Sequence, residues 1–217
     1  MKRLFWKLLH PGQRYGDWQL TYTGRQLWAS DPRPGDFMIE EIAHNLSLIC
    51  RFAGSVAVAY PVSSHLVMVS DIVRNLGGTL EEQLQALLHD ATESVISDIP
   101  APLKRFLPQV KAAEQRIWRA MAKQFKIPAK MSPLVKQADR IALITERRDL
   151  FQPSEHRWAG YDAVQPIAAR VRIMSAKAAE KSFLERYHHL RAKIAAKAAQ
   201  DTDWLRYKGE NVDGMKF

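Results

Sequence analysis

The chain contains a single cysteine, Cys50, among 217 residues. One cysteine cannot form a disulfide within the chain, so a fold held together by internal disulfides is excluded. Cys50 lies in the apolar segment LSLICRF, which favours a small core residue over a nucleophile. No apolar run reaches the roughly 18 to 20 residues that a membrane span needs. The N-terminal MKRLFWKLLHPGQ lacks the small-residue cleavage site of a signal peptide, so we expect a cytoplasmic protein without a membrane partner.

Strand signals are also scarce. The segment SVAVAYPV, residues 55–62, is the only β-leaning stretch, and it is short. Apolar residues instead recur with helical spacing, and Thr79-Leu80-Glu81-Glu82 has the form of a capping box that opens a helix. These patterns predict an all-α protein. The predicted helices cover about residues 39–54, 63–76, 79–97, 110–125 and 132–150, followed by one or two more after a loop at 151–163.

Three segments of different composition divide the chain. Residues 1–37 are rich in proline and glycine and predict loops with short elements at most. Residues 38–190 carry the helical pattern and predict one helical-bundle domain, and residues 191–217 form a basic tail.

The chain is strongly basic, with a formal net charge of +9. Such a charge attracts polyanions without selecting among nucleic acid, nucleotides and acidic membrane surfaces. Much of the excess lies near the C-terminus, where the spacing of the basic residues also suits the solvated face of a helix. These residues are Arg186, Arg191, Lys193 and Lys197. No zinc-finger, RNA-recognition or basic-zipper signature is present, so a nucleic-acid-binding module that uses the tail is an alternative interpretation and not the leading one.

A cluster of polar residues interrupts the apolar helix in ALLHDATESVISDIPAPLK, residues 86–104. His89 and Asp90 are adjacent, and Glu93 lies one helical turn beyond them. His65 and Asp139 also face the predicted core by their helical phase. Taken singly, each could be a hydrogen-bonded core residue. Because two histidines and two aspartates provide a mixed nitrogen and oxygen ligand set, we predict that together they bind a divalent metal.

The order H…HD…D on the helices of an all-α chain resembles the HD-domain metal-dependent phosphohydrolases. Further segments resemble the 5′-deoxynucleotidase branch of this group and its phage-encoded deoxynucleoside triphosphohydrolase relatives. The matching segments are TYTGRQLWASDPRPGD, IEEIAHNLSLICRF, HDATESVISDIPAPLK, LVKQAD and ITERRDL. The resemblance implies a helical HD domain and an enzyme that hydrolyses deoxynucleotides.

The resemblance also implies a role for each matching residue. It makes His65, His89, Asp90 and Asp139 the ligands of a divalent metal, which could be Mn, Co, Zn, Mg or Fe. It implies that Glu93 acts on the attacking water or the leaving group and that Arg51 binds phosphate. It places the ring of Phe52 against the sugar and Asp98 near the 3′-hydroxyl. Without the resemblance, Arg51 and Glu93 would be explained as members of surface ion pairs. Phe52 would be a core aromatic residue and Asp98 a turn-forming aspartate.

Two alternatives remain open within this interpretation. The same ligands would serve a nucleotidase that removes one phosphate and an enzyme that removes triphosphate from a dNTP. An HD-type nuclease that acts on single strands is a further alternative, because the positive charge would suit it. No phosphate-binding P-loop is present. We also expect a homo-oligomer.

Overall fold

The computed structural model describes residues 2–156 and 158–213, and within them the fold is all-α. The helices are α1 (Lys2–Leu9), α2 (Ile39–Leu48), α3 (Val62–Asn75), α4 (Leu80–Leu88), α5 (Glu93–Ile96), α6 (Ala101–Lys104), α7 (Pro108–Gln124), α8 (Pro133–Leu150) and α9 (Ala176–Asp213). A short antiparallel pair, β1 (Gln19–Leu20) and β2 (Gln26–Leu27), precedes α2. The predicted fold class is therefore confirmed.

Helix α3 lies at the centre of the bundle. It packs most extensively against α4 and α8, and α9 crosses α2, α3 and α4. Leu66 and Val69 of α3 and Leu87 of α4 are fully buried between these helices. Burying a side chain of this size stabilises the fold by about 1.5–3 kcal/mol. The first turn of α3, which contains His65, is thus held inside the core.

Helix α4 begins where the sequence predicts. The Thr79 hydroxyl accepts a hydrogen bond from the Glu82 N–H at 3.1 Å, and the Glu82 carboxylate accepts one from the Thr79 N–H at 3.1 Å. This capping box satisfies two N–H groups that the first turn of a helix otherwise leaves without partners. It fixes the start of the helix whose far end meets the predicted site.

The helix predicted from residue 79 to about 97 is interrupted in the structure. Helix α4 ends at Leu88, a turn carries His89 and Asp90, and Glu93 opens the separate one-turn helix α5. The helical spacing between His89 and Glu93 is therefore not maintained. The turn still brings both side chains toward the same region, because the Glu93 N–H donates to the Asp90 carbonyl at 2.9 Å.

Helix α2 is shorter than its sequence pattern predicts. It ends at Leu48, because Ile49 takes an extended conformation and Cys50 forms an isolated β-bridge with Pro61. A 3-10 turn, Arg51–Gly54, follows. Phe52 and Ala53 there have φ angles of 58° and 50°, in the left-handed region that non-glycine residues adopt at an energetic cost. The β-leaning segment 55–62 forms no strand.

Helix α9 continues through the predicted start of the basic tail at residue 191. Phe183 and Leu190 are buried in the core on one side of this helix, whereas Lys193 and Lys197 are exposed. The three-part division of the chain stays a prediction, and residues 214–217 of the tail lie outside the described residues. Among the described helices, none has the length and apolar character to cross a membrane.

Candidate metal centre

Three predicted ligands converge where α3, α4 and α8 meet. The His65 Nε2 atom lies 3.2 Å from Asp139 Oδ1, and the His89 Nε2 atom lies 3.6 Å from the same oxygen. The two imidazole rings are 5.4 Å apart between centroids. Both Nε2 atoms are buried, and none of the described residues gives either atom a hydrogen-bond partner. Two such nitrogens that face one carboxylate oxygen fit a divalent cation between them.

Asp90, the fourth predicted ligand, lies beside this group of three. Its Oδ2 atom is 3.4 Å from His89 Nε2 and 3.9 Å from His65 Nε2. The same oxygen lies 3.6 Å from the Arg51 guanidinium. Only His65, His89 and Asp139, among the described residues, place their ligand atoms all close to one another. Asp90 thus lies next to the group of three without belonging to it.

The site holds its two histidines in an acidic environment. Burial by itself lowers the pKa of His89, but the neighbouring charges of Asp90 and Asp139 outweigh burial and raise the pKa to about 9. Burial raises the pKa of Asp139, yet its contacts with both histidines hold that pKa well below its usual range. Asp139 is therefore ionised, and its negative charge favours a proton or another positive charge beside it.

Arg51 lies on the edge of this cluster and is almost completely buried, at 8% exposure. Its Nη2 atom lies 3.2 Å from Glu146 Oε2, in addition to the contact between Nη1 and Asp90. Burial by itself lowers the pKa of Arg51, but the charges of Glu146 and the other nearby carboxylates outweigh burial and raise the pKa above its usual value. The guanidinium therefore stays charged. Its Nε atom is buried without a hydrogen-bond partner among the described residues. An unused donor on a permanently charged group is available to an anion that enters the site.

Glu93 is buried at 5% exposure beside the predicted ligands. Burial, with the charges of Asp90 and Asp98, raises the pKa of its carboxyl to about 9. Its Oε2 atom is buried without a hydrogen-bond partner among the described residues. Such a carboxyl can hold and deliver a proton near neutral pH, as acid–base chemistry requires.

The side chain of Asp98 is hydrogen-bonded to the backbone of Phe52. The Asp98 Oδ2 atom accepts a hydrogen bond from the Phe52 N–H at 2.8 Å. This bond ties the loop after α5 to the left-handed turn that carries Arg51. The Phe52 ring stacks beneath Arg51, with the guanidinium carbon 5.0 Å from the ring centroid, and meets the Phe151 ring edge-on at 4.9 Å. The sequence pattern predicts neither the backbone bond nor the ring contacts.

Comparison with known proteins identifies relatives of this chain. No family model matches the chain. The chain is 43% identical over 130 residues to the uncharacterized protein YfdR of Escherichia coli (strain K12), an overlap that covers 60% of this chain and 70% of YfdR. The chain belongs to the YfdR family. It is also 29% identical over 186 residues to the uncharacterized protein RCAP_rcc00048 of Rhodobacter capsulatus, which covers 80% of this chain and 95% of that protein. These names assign no activity to the YfdR family.

One buried residue of this YfdR-family site was not predicted. Glu146 of α8 is fully buried and its Oε1 atom lies 2.7 Å from His65 Nδ1. It follows Asp139 by seven residues, which is two helical turns, so both side chains lie on the same face of α8. That spacing, within the segment ITERRDL, is the signal that could have identified it.

The structure places every predicted site residue in or beside one cluster. His65, His89 and Asp139 form its centre, with Asp90, Arg51 and Glu93 around them. Phe52 and Asp98 lie on the outer side of Arg51. In this YfdR-family chain, residues that lie as far as 88 positions apart in sequence, Arg51 and Asp139, therefore meet at one site.

Proposed function

We propose that this protein is a metal-dependent phosphohydrolase that acts on deoxynucleotides, as a 5′-deoxynucleotidase or a dNTP triphosphohydrolase. The observation that carries the proposal is the convergence of two unpartnered histidine nitrogens and an ionised carboxylate beside a buried arginine. The two histidines and the carboxylate could bind a cation, and the arginine could bind an anion. Phosphate esters need both, because their hydrolysis depends on positioning and charge stabilisation.

The ligand set suits a divalent ion such as Mn, Co, Zn, Mg or Fe. His65, His89 and Asp139 would hold it, with Asp90 beside them as the fourth ligand. A divalent ion in such a site lowers the pKa of water from about 15.7 to about 7 and polarises a phosphoryl oxygen.

Arg51 binds the phosphate in this proposal. The Nε atom of Arg51 has no hydrogen-bond partner among the described residues and would be free to donate to a phosphate oxygen, while Nη1 lies near Asp90 and Nη2 next to Glu146. Because the guanidinium is permanently charged, this hydrogen bond to an anionic oxygen would be a strong, charge-assisted one.

Glu93 moves the proton. A cation held nearby would favour the ionised carboxylate and so lower the pKa of Glu93 from about 9. A pKa near the working pH lets one carboxyl both accept a proton from water and donate one to the leaving oxygen. Its unpartnered Oε2 atom is the one available for this transfer.

Phe52 and Asp98 select the sugar. The Phe52 ring lies against Arg51, so a sugar attached to the bound phosphate would meet the ring. Asp98 uses Oδ2 for the Phe52 N–H, and its other oxygen can accept a bond from a 3′-hydroxyl. A ring that leaves no room for a 2′-hydroxyl would reject ribonucleotides by steric clash.

The alternatives that use the basic helix receive less support from the contacts. Arg186 pairs with Asp71, and Arg191 donates to the Phe125 carbonyl at 3.4 Å, so both serve the packing of α9. Lys193 and Lys197 remain exposed. A single-strand nuclease or a nucleic-acid-binding protein would need more of this charge to be free.

The proposal is tested by assaying the purified protein against the four dNMPs, the four dNTPs and their ribonucleotide counterparts, with Mn²⁺, Co²⁺ and Mg²⁺. We expect release of inorganic phosphate from dNMPs or of triphosphate from dNTPs, abolished by a chelator and restored by the metal. Single-stranded DNA is included as a substrate. Cleavage of DNA without nucleotide turnover, or no hydrolysis with any metal, would reject the proposal.

A further inference from the structure

Glu146 is the most buried acidic group of the centre and touches two functional residues at once. Its side chain is fully buried, at 0% exposure. Its Oε1 atom lies 2.7 Å from His65 Nδ1, and its Oε2 atom lies 3.2 Å from Arg51 Nη2. One carboxylate thus contacts both His65, a proposed metal ligand, and Arg51, the proposed phosphate-binding residue.

The contact with His65 decides which nitrogen of the ring can bind a metal. When Nδ1 carries a hydrogen and donates it to Glu146, the lone pair is on Nε2, the atom that faces Asp139. His89 is oriented in the same manner, since its Nδ1 atom lies 2.7 Å from the Ala86 carbonyl. His65 differs in that its acceptor carries a full charge, which increases the basicity of the ring.

The contact with Arg51 decides where the guanidinium lies. Arg51 is buried, and a buried cation needs a partner whose position is fixed. Asp90 would be shared between Arg51 and a bound metal, whereas Glu146 lies on the Nδ1 side of His65, away from the nitrogen that faces Asp139. Glu146 would therefore be the charge that keeps Arg51 in position in the metal-loaded protein.

We propose that Glu146 is a positioning residue that holds His65 in its metal-binding tautomer and Arg51 in its phosphate-binding position. The inference rests on the proposed function, because it requires that the centre binds a metal. It predicts that metal affinity and phosphate affinity depend on the same carboxylate, although this carboxylate touches neither ligand.

The test compares Mn²⁺ affinity, measured without substrate, in the wild type, Glu146→Ala and Glu146→Gln. Loss of a carboxylate behind a metal-binding histidine commonly weakens metal affinity about 10–100-fold, and we expect a loss of this size for Glu146→Ala. The glutamine retains a carbonyl oxygen that can accept from His65 Nδ1, so Glu146→Gln should lose clearly less. Wild-type Mn²⁺ affinity in both variants would overturn the proposal.

The matched control is Glu41, another buried glutamate, at 5% exposure, which lies on α2 and pairs with Arg25 and Thr21 away from the centre. Glu41→Ala and Glu41→Gln should retain wild-type Mn²⁺ affinity. If the Glu41 variants lose as much Mn²⁺ affinity as the Glu146 variants, the loss is a general effect of removing a buried carboxylate. That result would overturn the specific role of Glu146.

The Arg51 half of the proposal is measured with inorganic phosphate as the probe, at saturating Mn²⁺. Glu146→Ala should bind phosphate several-fold more weakly than the wild type even when every centre is filled with metal. Equal phosphate affinity would remove Arg51 from the proposed role of Glu146.

A measurement on the wild type avoids any dependence on how well the variants fold. In the Zn²⁺-loaded wild type, nitrogen NMR of the histidine side chains should show His65 protonated at Nδ1. Protonation at Nε2 would overturn the proposal. A wild type that binds no divalent metal would reject the metal centre itself, which distinguishes failure of the proposed function from failure of the role of Glu146.

Discussion

At the scale of single residues, the centre concentrates charge that a folded core would otherwise avoid. His65 and Glu146 are both fully buried, and Arg51 and Glu93 are nearly so. Removing one member of a buried ion pair typically costs about 3–5 kcal/mol, because its partner is left uncompensated. Such an arrangement contributes little to net stability compared with apolar packing, so its presence is better explained by a chemical function.

Glu93→Ala tests the acid–base role. The variant should fold and bind metal like the wild type, since Glu93 contacts no metal-facing nitrogen, and it should lose about 10²–10⁴-fold in turnover. Steady-state kinetics with the best deoxynucleotide substrate measure the loss. The exposed Glu81→Ala on α4 serves as the control and should keep full activity. Near-wild-type turnover in Glu93→Ala would remove this residue from the mechanism.

The affinity for metal should depend on pH. Burial lowers the pKa of His89, but Asp90 and Asp139 raise it to about 9, so below that pH a proton occupies the nitrogen that the metal needs. Raising the pH removes this proton, and Mn²⁺ affinity should therefore rise by roughly tenfold per pH unit for one displaced proton between about pH 7 and pH 9. Titration with Mn²⁺ at three pH values measures the slope. An affinity that is flat over this range would show that His89 is not a ligand.

Phe52→Ala tests the choice of sugar. Removing the ring opens the space beside Arg51, so the ratio of kcat/KM between dAMP and AMP, or between dATP and ATP, should fall toward one. Phe151→Leu is the matched control, because this ring contacts Phe52 from the side and does not stack on Arg51. A wild type that turns over both sugars equally would contradict the role of Phe52.

At the scale of elements, the sequence predicts starts of helices better than their ends. The capping box at Thr79 is a local pattern, and α4 begins there as predicted. The break after Leu88 and the end of α2 at Leu48 depend on tertiary contacts, such as the bridge between Cys50 and Pro61, which no local pattern contains. The left-handed conformation of Phe52 is unpredictable for the same reason, because non-glycine residues adopt it only when surrounding contacts impose it.

The same distinction applies to the site. The four predicted ligands combine ligand chemistry with helical phase, and both can be derived from the sequence. Glu146 could have been found from its spacing to Asp139, but a buried glutamate near two arginines in sequence also resembles an ordinary surface ion pair. Its role depends on contacts with Arg51 and His65, from 95 and 81 positions away.

Helix α9 offers a prediction about packing. Leu190 is buried at 1% exposure against the core, one residue before the predicted start of the basic tail. Leu190→Ala should lower the free energy of unfolding by about 2–5 kcal/mol, measured by urea denaturation. Lys193→Ala, on the exposed face, is the control and should change it by less than about 0.5 kcal/mol. A small effect at Leu190 would show that α9 contributes little to the core.

At the scale of the whole molecule, the positive charge and the acidic centre have opposite signs. The net charge of +9 attracts anions at long range. The carboxylates of the centre carry negative charge, and Arg51 lies at their edge, in contact with Asp90 and Glu146. This arrangement is consistent with a phosphate that approaches from outside and a metal ion held within.

The most direct test of this account is the metal content of the purified protein after reconstitution with Mn²⁺ and removal of unbound ion, measured by elemental analysis of the wild type, His89→Ala and Asp139→Ala. The account predicts bound metal in the wild type and a large loss in both variants, with folding checked by circular dichroism. Undiminished metal in both variants, or none in the wild type, would contradict it.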